Sequence, residues 1–164
     1  RFLCSTDAEG QLVATFPSQD AAWREVRTDH PAQTWYAVGL PFAFLVKLHQ
    51  ATGQRAHLEL ARWFFGFQER CVDAWGGPSS GKAGWACSML YRMTGEQEYL
   101  DVALQVADFI SKRQNPEGNW ARGAIAYGRP PEEQEALTNG GFDLTEEYTL
   151  WMSLISANLM AREA

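Results

Sequence analysis

A repeat with a period of 42 residues constrains the fold of this chain more than any other feature of its sequence. Residues 43–68 align with residues 85–110 at that offset. Identical residues in the two copies are Leu48 and Leu90, Thr52 and Thr94, Gly53 and Gly95, Leu58 and Leu100, Ala61 and Ala103, and Phe67 and Phe109. A fixed period of this length is typical of stacked supersecondary units, each of which buries its apolar face against its neighbours. The sequence therefore predicts an array of like units rather than a single bundle.

Each unit of the repeat has the pattern of two helices joined by a short turn. The first helix is predicted to end at Gly53 or Gly95, because glycine readily takes the left-handed conformation that closes many helices. Apolar residues recur at helical spacing in the second helix of each unit, namely Leu60, Ala61, Phe64, Phe65, Phe67 and Cys71, and then Leu100, Ala103, Ala107 and Ile110. The first helices, at 34–52 and 83–93, are apolar nearly all round, as is a third at 144–161, which predicts burial on more than one side. The predicted fold class is all-α, built of helical hairpins.

Turn-forming residues mark the ends of the second helices. The stretch QNPEGNW at 114–120 combines Asn-Pro with Glu-Gly, and WGG at 75–77 resembles it. Because FLCSTDAEG at 2–10 resembles FISKRQNPEG at 109–118, the chain is predicted to open where a second helix ends. We therefore expect a single partial domain over 1–164 with about two and a half to three hairpins, whose exposed apolar faces are covered by self-association or by companion segments.

Composition and charge argue against several classes of protein. The net charge is −6 at pH 7 and the isoelectric point about 5.0, which argues against a nucleic-acid partner, because such surfaces concentrate Lys and Arg. The sequence has no run of about 18 apolar residues, so no membrane span is expected. Cys4, Cys71 and Cys87 have the spacing of neither a disulfide framework nor a zinc site, which favours reduced thiols in a cytoplasmic protein. The histidines lack metal-ligand spacing, so no metal site is expected, and no cofactor is predicted.

The pattern of the repeat resembles that of the (α/α) toroid superfamilies. An inner helix is followed by a turn with TG and by YL or HL, then by an outer helix with alanine, and finally by the Q-x-x-x-G-x-W of Gln114, Gly118 and Trp120. These superfamilies are the six-hairpin glycosidases with the sugar 2-epimerases, and the terpenoid cyclases with the protein prenyltransferases. The resemblance covers residues 35–120 best. It implies a ring of inner helices around a cavity that takes a small-molecule or oligosaccharide substrate.

The resemblance implies an activity only in outline. LYRMTGEQEYLDVALQVADFI, at 90–110, is most similar to the sugar-acting branch. The sequence lacks the D-x-D-D proton donor of squalene-type cyclases, the D-D-x-x-D magnesium motif and the zinc ligands of prenyltransferases. The leading prediction is an enzyme that acts on a carbohydrate by hydrolysis, elimination or epimerisation. Two alternatives stay open: an enzyme that cyclises a terpenoid or polyketide in the same cavity, and a non-catalytic assembly or partner-binding protein.

The segments that precede the inner helices are the candidates for the functional site. In a toroid these helices run parallel, so segments 27–36, 79–85 and 142–151 are expected to converge on one rim of the cavity. Histidine suits acid/base work near neutral pH, and glycoside chemistry needs a pair of carboxyl groups. The predicted catalytic residues are Asp29, His30, Asp143 and Glu146, and the predicted substrate-binding residues are Trp35, Tyr36, Lys82, Trp85, Glu147, Tyr148 and Trp151.

These candidates also have structural explanations. Asp29 and His30 precede Pro31 and would suit the cap of a helix, while Glu146 and Glu147 suit the positive N-terminal end of one. The aromatic residues would equally suit the core. Because successive residues of a helix point about 100° apart, at most one of the two glutamates is expected to face the cavity fully.

A long segment without a clear helical pattern lies between the second unit and the third inner helix. RGAIAYGRPPEEQEALTNGGFD, at 122–143, is long for a loop in a compact domain. It is predicted to be a lid over the cavity or a plain linker. The third inner helix is predicted to begin after it, with Thr145 as its cap.

Overall fold

A computed structural model of the protein describes residues 1–31, 33–77, 79–120 and 131–163. The fold is mostly helical, which confirms the predicted all-α class. The helices are α1 (Ala21–Arg24), α2 (Tyr36–Thr52), α3 (Arg55–Glu69), α4 (Gly81–Thr94), α5 (Gln97–Ser111) and α6 (Pro131–Glu163), with a 3₁₀ turn at Ser18–Asp20. Two short strands, β1 (Phe2–Leu3) and β2 (Glu25–Val26), pair antiparallel beside them. None of the described helices combines the length and the apolar character that crossing a membrane requires.

The two repeats form helical hairpins with matching turns. Gly53 and Gly95 close α2 and α4 at φ +68° and +78°, in the left-handed region that favours glycine. Their amides donate to the carbonyls of His49 and Tyr91, at 2.8 Å in both turns. The threonine before each glycine donates its hydroxyl to the carbonyl four residues back. The 42-residue repeat therefore corresponds to a repeated backbone structure, as the sequence predicts.

The first helices of the hairpins form a layer in the order α2, α4, α6, with α3 packed on α2 and α5 on α4. Gly39 on α2 and Gly81 on α4 occupy the same position of the repeat. The next helix of the layer, α4 and α6 respectively, approaches each glycine closely. A Cβ atom at Gly39 would lie 3.0 Å from the amide nitrogen of Ala83, and one at Gly81 would lie 2.5 Å from Cδ1 of Trp151. The layer is parallel, because residues further along α2 or α4 contact residues further along the next helix of the layer. Closure into a toroid stays a prediction.

The core lies between the inner layer and the two outer helices. Trp35, Phe42, Met89 and Leu90 are fully buried on the inner side. The outer stripes contribute the buried residues Ala61, Phe64, Phe65, Phe67, Cys71, Tyr99, Val102, Ala103, Val106 and Ile110. Leu60, which the helical spacing placed in the α3 stripe, is 47% exposed, because the buried face of α3 is centred on its three phenylalanines.

The structure corrects the predicted boundary of the third inner helix. Helix α6 begins at Pro131, so the part of the predicted loop from 131 to 143 is helical, while 121–130 lies outside the described residues. Proline is favoured at the first position of a helix, and the acidic residues that follow it suit the helix N-terminus. Thr145 is consequently not a cap. Its Oγ1 accepts a 3.0 Å hydrogen bond from the amide of Trp120.

The predicted likeness between the start of the chain and the end of α5 is half right. The DAEG and NPEG turns share one geometry: Gly10 and Gly118 have φ of +81° and +85°, and each amide donates to the carbonyl three residues earlier. The residues before the turns differ, because Phe2 and Leu3 form strand β1 rather than the end of a helix. A turn motif is local, whereas the structure on either side of it depends on partners distant in sequence.

Trp120 joins the end of α5 to α6. Its Nε1 donates to the carbonyl of Ile110 at 2.7 Å, and its ring meets that of Tyr148 edge to face at 5.9 Å between centroids. The side chain is 8% exposed. The tryptophan that ends QNPEGNW therefore packs the end of α5 against α6.

Candidate functional site

A cleft of about 880 Å³ opens at the N-terminal ends of α2 and α4, beside the middle of α6. Its lining residues are Ser18, Ala21, Trp23, Glu25, Arg27, His30, Pro31, Gln33, Thr34, Tyr36, Ser79, Lys82, Leu144 and Glu147. They include four of the residues that the sequence proposed for the site: His30, Tyr36, Lys82 and Glu147. Segments 27–36, 79–85 and 142–151 thus contribute to one cleft, although the third lies inside α6 and not before it.

An ion pair between α4 and α6 forms one part of the cleft wall. Nζ of Lys82 lies 2.7 Å from Oε1 of Glu147, and the two side chains are 10% and 46% exposed. Nζ also lies 5.2 Å from the centroid of the Trp151 ring. A buried ammonium needs both a counter-ion and hydrogen-bond acceptors, and an aromatic face adds to the attraction. The charge of Lys82 is therefore neutralised within the protein, while the glutamate presents its carboxylate to the cleft.

A second charged group lies in the loop before α2. Nε and Nη2 of Arg27 donate to Oδ1 and Oδ2 of Asp29 at 2.9 and 2.8 Å, and Nδ1 of His30 lies 3.0 Å from Oδ1. These hydrogen bonds, that from Arg27 foremost, hold the pKa of Asp29 well below its usual range. Because an ionised carboxylate can only accept, Nδ1 of His30 must carry the proton. Nε2 is therefore the ring nitrogen that can take up a further proton.

Gln33 holds the loop in this shape. Its Oε1 accepts from the amide of Arg27 at 2.7 Å, and its Nε2 donates to the carbonyl of the same residue at 2.6 Å and to that of His30. A side-chain amide that bonds to both the N–H and the C=O of one residue holds the backbone of the loop in one conformation. No sequence pattern indicated this role, because a glutamine between Pro31 and Trp35 has no characteristic spacing.

Sequence reasoning also missed Trp23 and Glu25. Trp23 is 68% exposed and Tyr36 is 37% exposed, so two aromatic side chains present surface at the cleft. Glu25 lines the cleft from β2, and its carboxylate pairs with Arg1 at 3.2 Å. An isolated tryptophan is usually assigned to the core, so only its observed exposure identifies Trp23 as a contact residue.

The other predicted site residues lie elsewhere. Trp35 and Tyr148 are buried, at 0% and 1% exposure, and so belong to the core. Trp85 and Trp151 pack on each other with ring centroids 5.6 Å apart. Asp143 is exposed and is not part of the cleft lining.

Glu146 faces away from the cleft that Glu147 lines. It borders a separate depression with Thr149, Leu150 and Ser153. Of the two glutamates, Glu147 lines the cleft and Glu146 does not, so the catalytic role predicted for Glu146 stays a prediction without support from this geometry. The rotation of α6 about its axis is set by its contacts with α4, which the sequence of α6 alone does not specify.

Neither possible metal ligands nor the Cys87 thiol among the described residues indicate a function. Within residues 1–31, 33–77, 79–120 and 131–163, no three His, Cys, Asp or Glu side chains are grouped as metal ligands would be. Burial raises the pKa of the Cys87 thiol well above its ordinary value, which disfavours the nucleophilic thiolate. Comparisons with protein-family models, curated proteins and solved structures found no match. The geometry of the cleft is therefore the basis for assigning a function.

Proposed function

We propose that the protein binds a neutral carbohydrate in this cleft and acts on it by acid/base chemistry. The observation that carries the proposal is the pairing of two partly exposed aromatic side chains, Trp23 and Tyr36, with polar and titratable groups in one open cleft. A sugar ring offers apolar C–H faces that stack on aromatic rings and hydroxyl groups that need hydrogen-bond partners. This combination matches the lining of the cleft.

The state of the cations in the cleft favours a neutral sugar over an acidic one. Arg27 is engaged by Asp29, and Lys82 by Glu147, at distances of 2.8 and 2.7 Å. A uronate carboxylate would have to displace one of these carboxylates from its partner. The sequence placed Lys82 among the substrate-binding residues, and we now propose that it positions Glu147 instead.

Acid/base chemistry would fall to His30 and Glu147. Hydrolysis, elimination and epimerisation of a sugar each require a proton to be removed and another to be supplied. Nε2 of His30 is suited to exchange a proton, and the Glu147 carboxylate reaches the cleft from α6. Asp29 is a positioning residue in this scheme, because its carboxylate holds Nδ1 of His30 and it is not part of the cleft lining.

The lining of the cleft bears on the two alternatives. Cyclisation of a terpenoid needs a dry, aromatic cavity that stabilises carbocations by their contact with ring faces. This cleft is open, and its described lining places the aromatic side chains of Trp23 and Tyr36 beside several charged or titratable ones. A non-catalytic protein with a vestigial cavity would fill it with side chains, whereas about 880 Å³ stays accessible. Both observations favour the carbohydrate proposal.

Removal of either aromatic side chain is expected to weaken carbohydrate binding about tenfold, because one stacking face is lost. The test is calorimetric titration of the Trp23→Ala and Tyr36→Ala variants with a panel of neutral mono- and oligosaccharides. Trp63→Ala is the matched control, since Trp63 is 50% exposed on α3 and does not line the cleft. Equal affinities in all three variants, or no binding by any sugar of the panel, would contradict the proposal.

The two adjacent glutamates provide a test of the chemistry. Glu147→Gln is expected to lower turnover of a bound sugar at least about 100-fold, because an amide cannot exchange the proton. Glu146→Gln, one residue earlier, is expected to leave turnover unchanged, since its side chain lies outside the cleft. Turnover is measured on the sugars that bind, by product chromatography. A larger loss in Glu146→Gln than in Glu147→Gln would remove Glu147 from the mechanism.

A further inference from the structure

A second groove, of about 520 Å³, adjoins the cleft. It is lined by Phe2, Leu3, Cys4, Ser5, Thr6, Leu12, Trp23, Thr34, Tyr36, Ala37, Leu40 and Pro41. Trp23, Thr34 and Tyr36 line both spaces. The two aromatic side chains therefore stand at the junction between a charged cleft and this groove, which we call the apolar groove.

The apolar groove differs from the cleft in its chemistry. None of its described lining residues is charged, and its polar members are hydroxyl groups and one thiol. Leu12 and Leu40 are 64% and 46% exposed. Apolar side chains that border one continuous concave surface are typical of a binding site, whereas isolated exposed residues need no explanation.

We infer that the carbohydrate ligand is amphiphilic, with its sugar in the cleft and an alkyl aglycone in the apolar groove. The inference rests on the proposed function and specifies its substrate class. The shared lining carries the argument, because a ligand that covers the rings of Trp23 and Tyr36 would contact residues of both spaces. A longer oligosaccharide fits the groove poorly, since its hydroxyl groups would lose water beside Phe2, Leu40 and Pro41 without enough partners.

The length of the alkyl chain provides the measurement. Each methylene group that leaves water contributes up to about fourfold in affinity, and an open groove covers part of the chain. Calorimetric titration uses methyl and octyl glycosides of glucose, galactose and mannose, below the concentrations at which micelles form. The octyl glycoside of the preferred sugar is expected to bind about ten- to a hundredfold more tightly than its methyl glycoside.

A pair of leucine variants tests whether the groove causes this gain. Leu40→Gln is expected to weaken binding of the octyl glycoside about fivefold and to leave the methyl glycoside unchanged. Leu104→Gln is the matched control: Leu104 is 49% exposed, against 46% for Leu40, but lies on α5 outside the groove. It is expected to change neither affinity.

A sugar-free probe separates this inference from the proposed function. Octyl tetraethylene glycol ether carries the same chain and is expected to bind more weakly than the octyl glycoside. Equal binding of methyl and octyl glycosides, or equal losses in the two leucine variants, would overturn the amphiphile inference and leave carbohydrate binding intact. If the ether bound as tightly as the octyl glycoside and no methyl glycoside bound, the proposed function would fail, and this inference with it.

Discussion

Replacement of Trp35 by alanine is expected to lower the free energy of unfolding by about 3–5 kcal/mol, the usual cost of emptying a large core site. Trp35 is fully buried just before the start of α2, and its ring lies against Gly77, where an added Cβ would come within 2.5 Å of Cδ1. Loss of the indole would leave a cavity, because Gly77 beside it has no side chain that could fill the space. Urea denaturation followed by circular dichroism measures the change.

One substitution at the next position and a milder one at Trp35 itself serve as controls for this result. Tyr36→Ala, at the next position, is expected to cost less than about 1 kcal/mol, because Tyr36 is 37% exposed and lines the cleft. Trp35→Phe retains an aromatic ring and removes an indole N–H that has no acceptor among the described residues, so its cost should stay below about 1.5 kcal/mol. Normal stability of Trp35→Ala combined with loss of sugar binding would return Trp35 to the site, as the sequence first suggested.

Alanine is expected to destabilise the protein at Gly84 and to stabilise it at Gly66, although both residues lie inside helices. A Cβ at Gly84 would approach Cγ1 and Cβ of Val106 to 2.6 and 2.8 Å, where α4 packs on α5. Overpacking of this kind costs about 1–3 kcal/mol and outweighs the higher helix propensity of alanine. At Gly66 the nearest atom is the guanidinium end of Arg70 at 3.8 Å, so the propensity gain of about 1 kcal/mol should appear in full.

Thermal unfolding of the two variants gives opposite shifts if the helices pack as described. The chemical change is identical, so differences in the unfolded chain largely cancel between them. A double variant, Gly84→Ala with Val106→Ala, should recover part of the loss by removing the clashing methyl groups. Equal shifts at both positions would show that α4 and α5 are not in close contact at Gly84.

Features that depend on a few adjacent residues were predictable. The glycines that close α2 and α4 were identified from the sequence because a left-handed backbone at a helix end strongly favours glycine. The turn around Gly118 and its counterpart at Gly10 were predictable for the same reason. The start of α6 was not, because the segment at 122–143 lacks a clear helical pattern and α6 includes the two glycines at 140–141. Each glycine costs about 1 kcal/mol in a helix, which contacts elsewhere along the helix can offset.

The sequence indicated which segments meet at the candidate site, but not which of their residues line the cleft. Parallel inner helices bring His30, Lys82 and Glu147 to one cleft, and the repeat indicated that arrangement. Trp35 is buried and Tyr36 is partly exposed, although the two residues are adjacent and both aromatic. Burial of that kind depends on contacts with distant segments, which a local pattern does not encode.

The sequence by itself determined the hairpin period and the helix-closing glycines, because glycine at a helix end satisfies a local backbone requirement. Only the tertiary structure decided that Glu147, and not Glu146, faces the cleft. Adjacent helical residues point about 100° apart, so the choice depends on how α6 is rotated against α4. That rotation is fixed by contacts such as the one between Lys82 and Glu147, which are 65 positions apart in the chain.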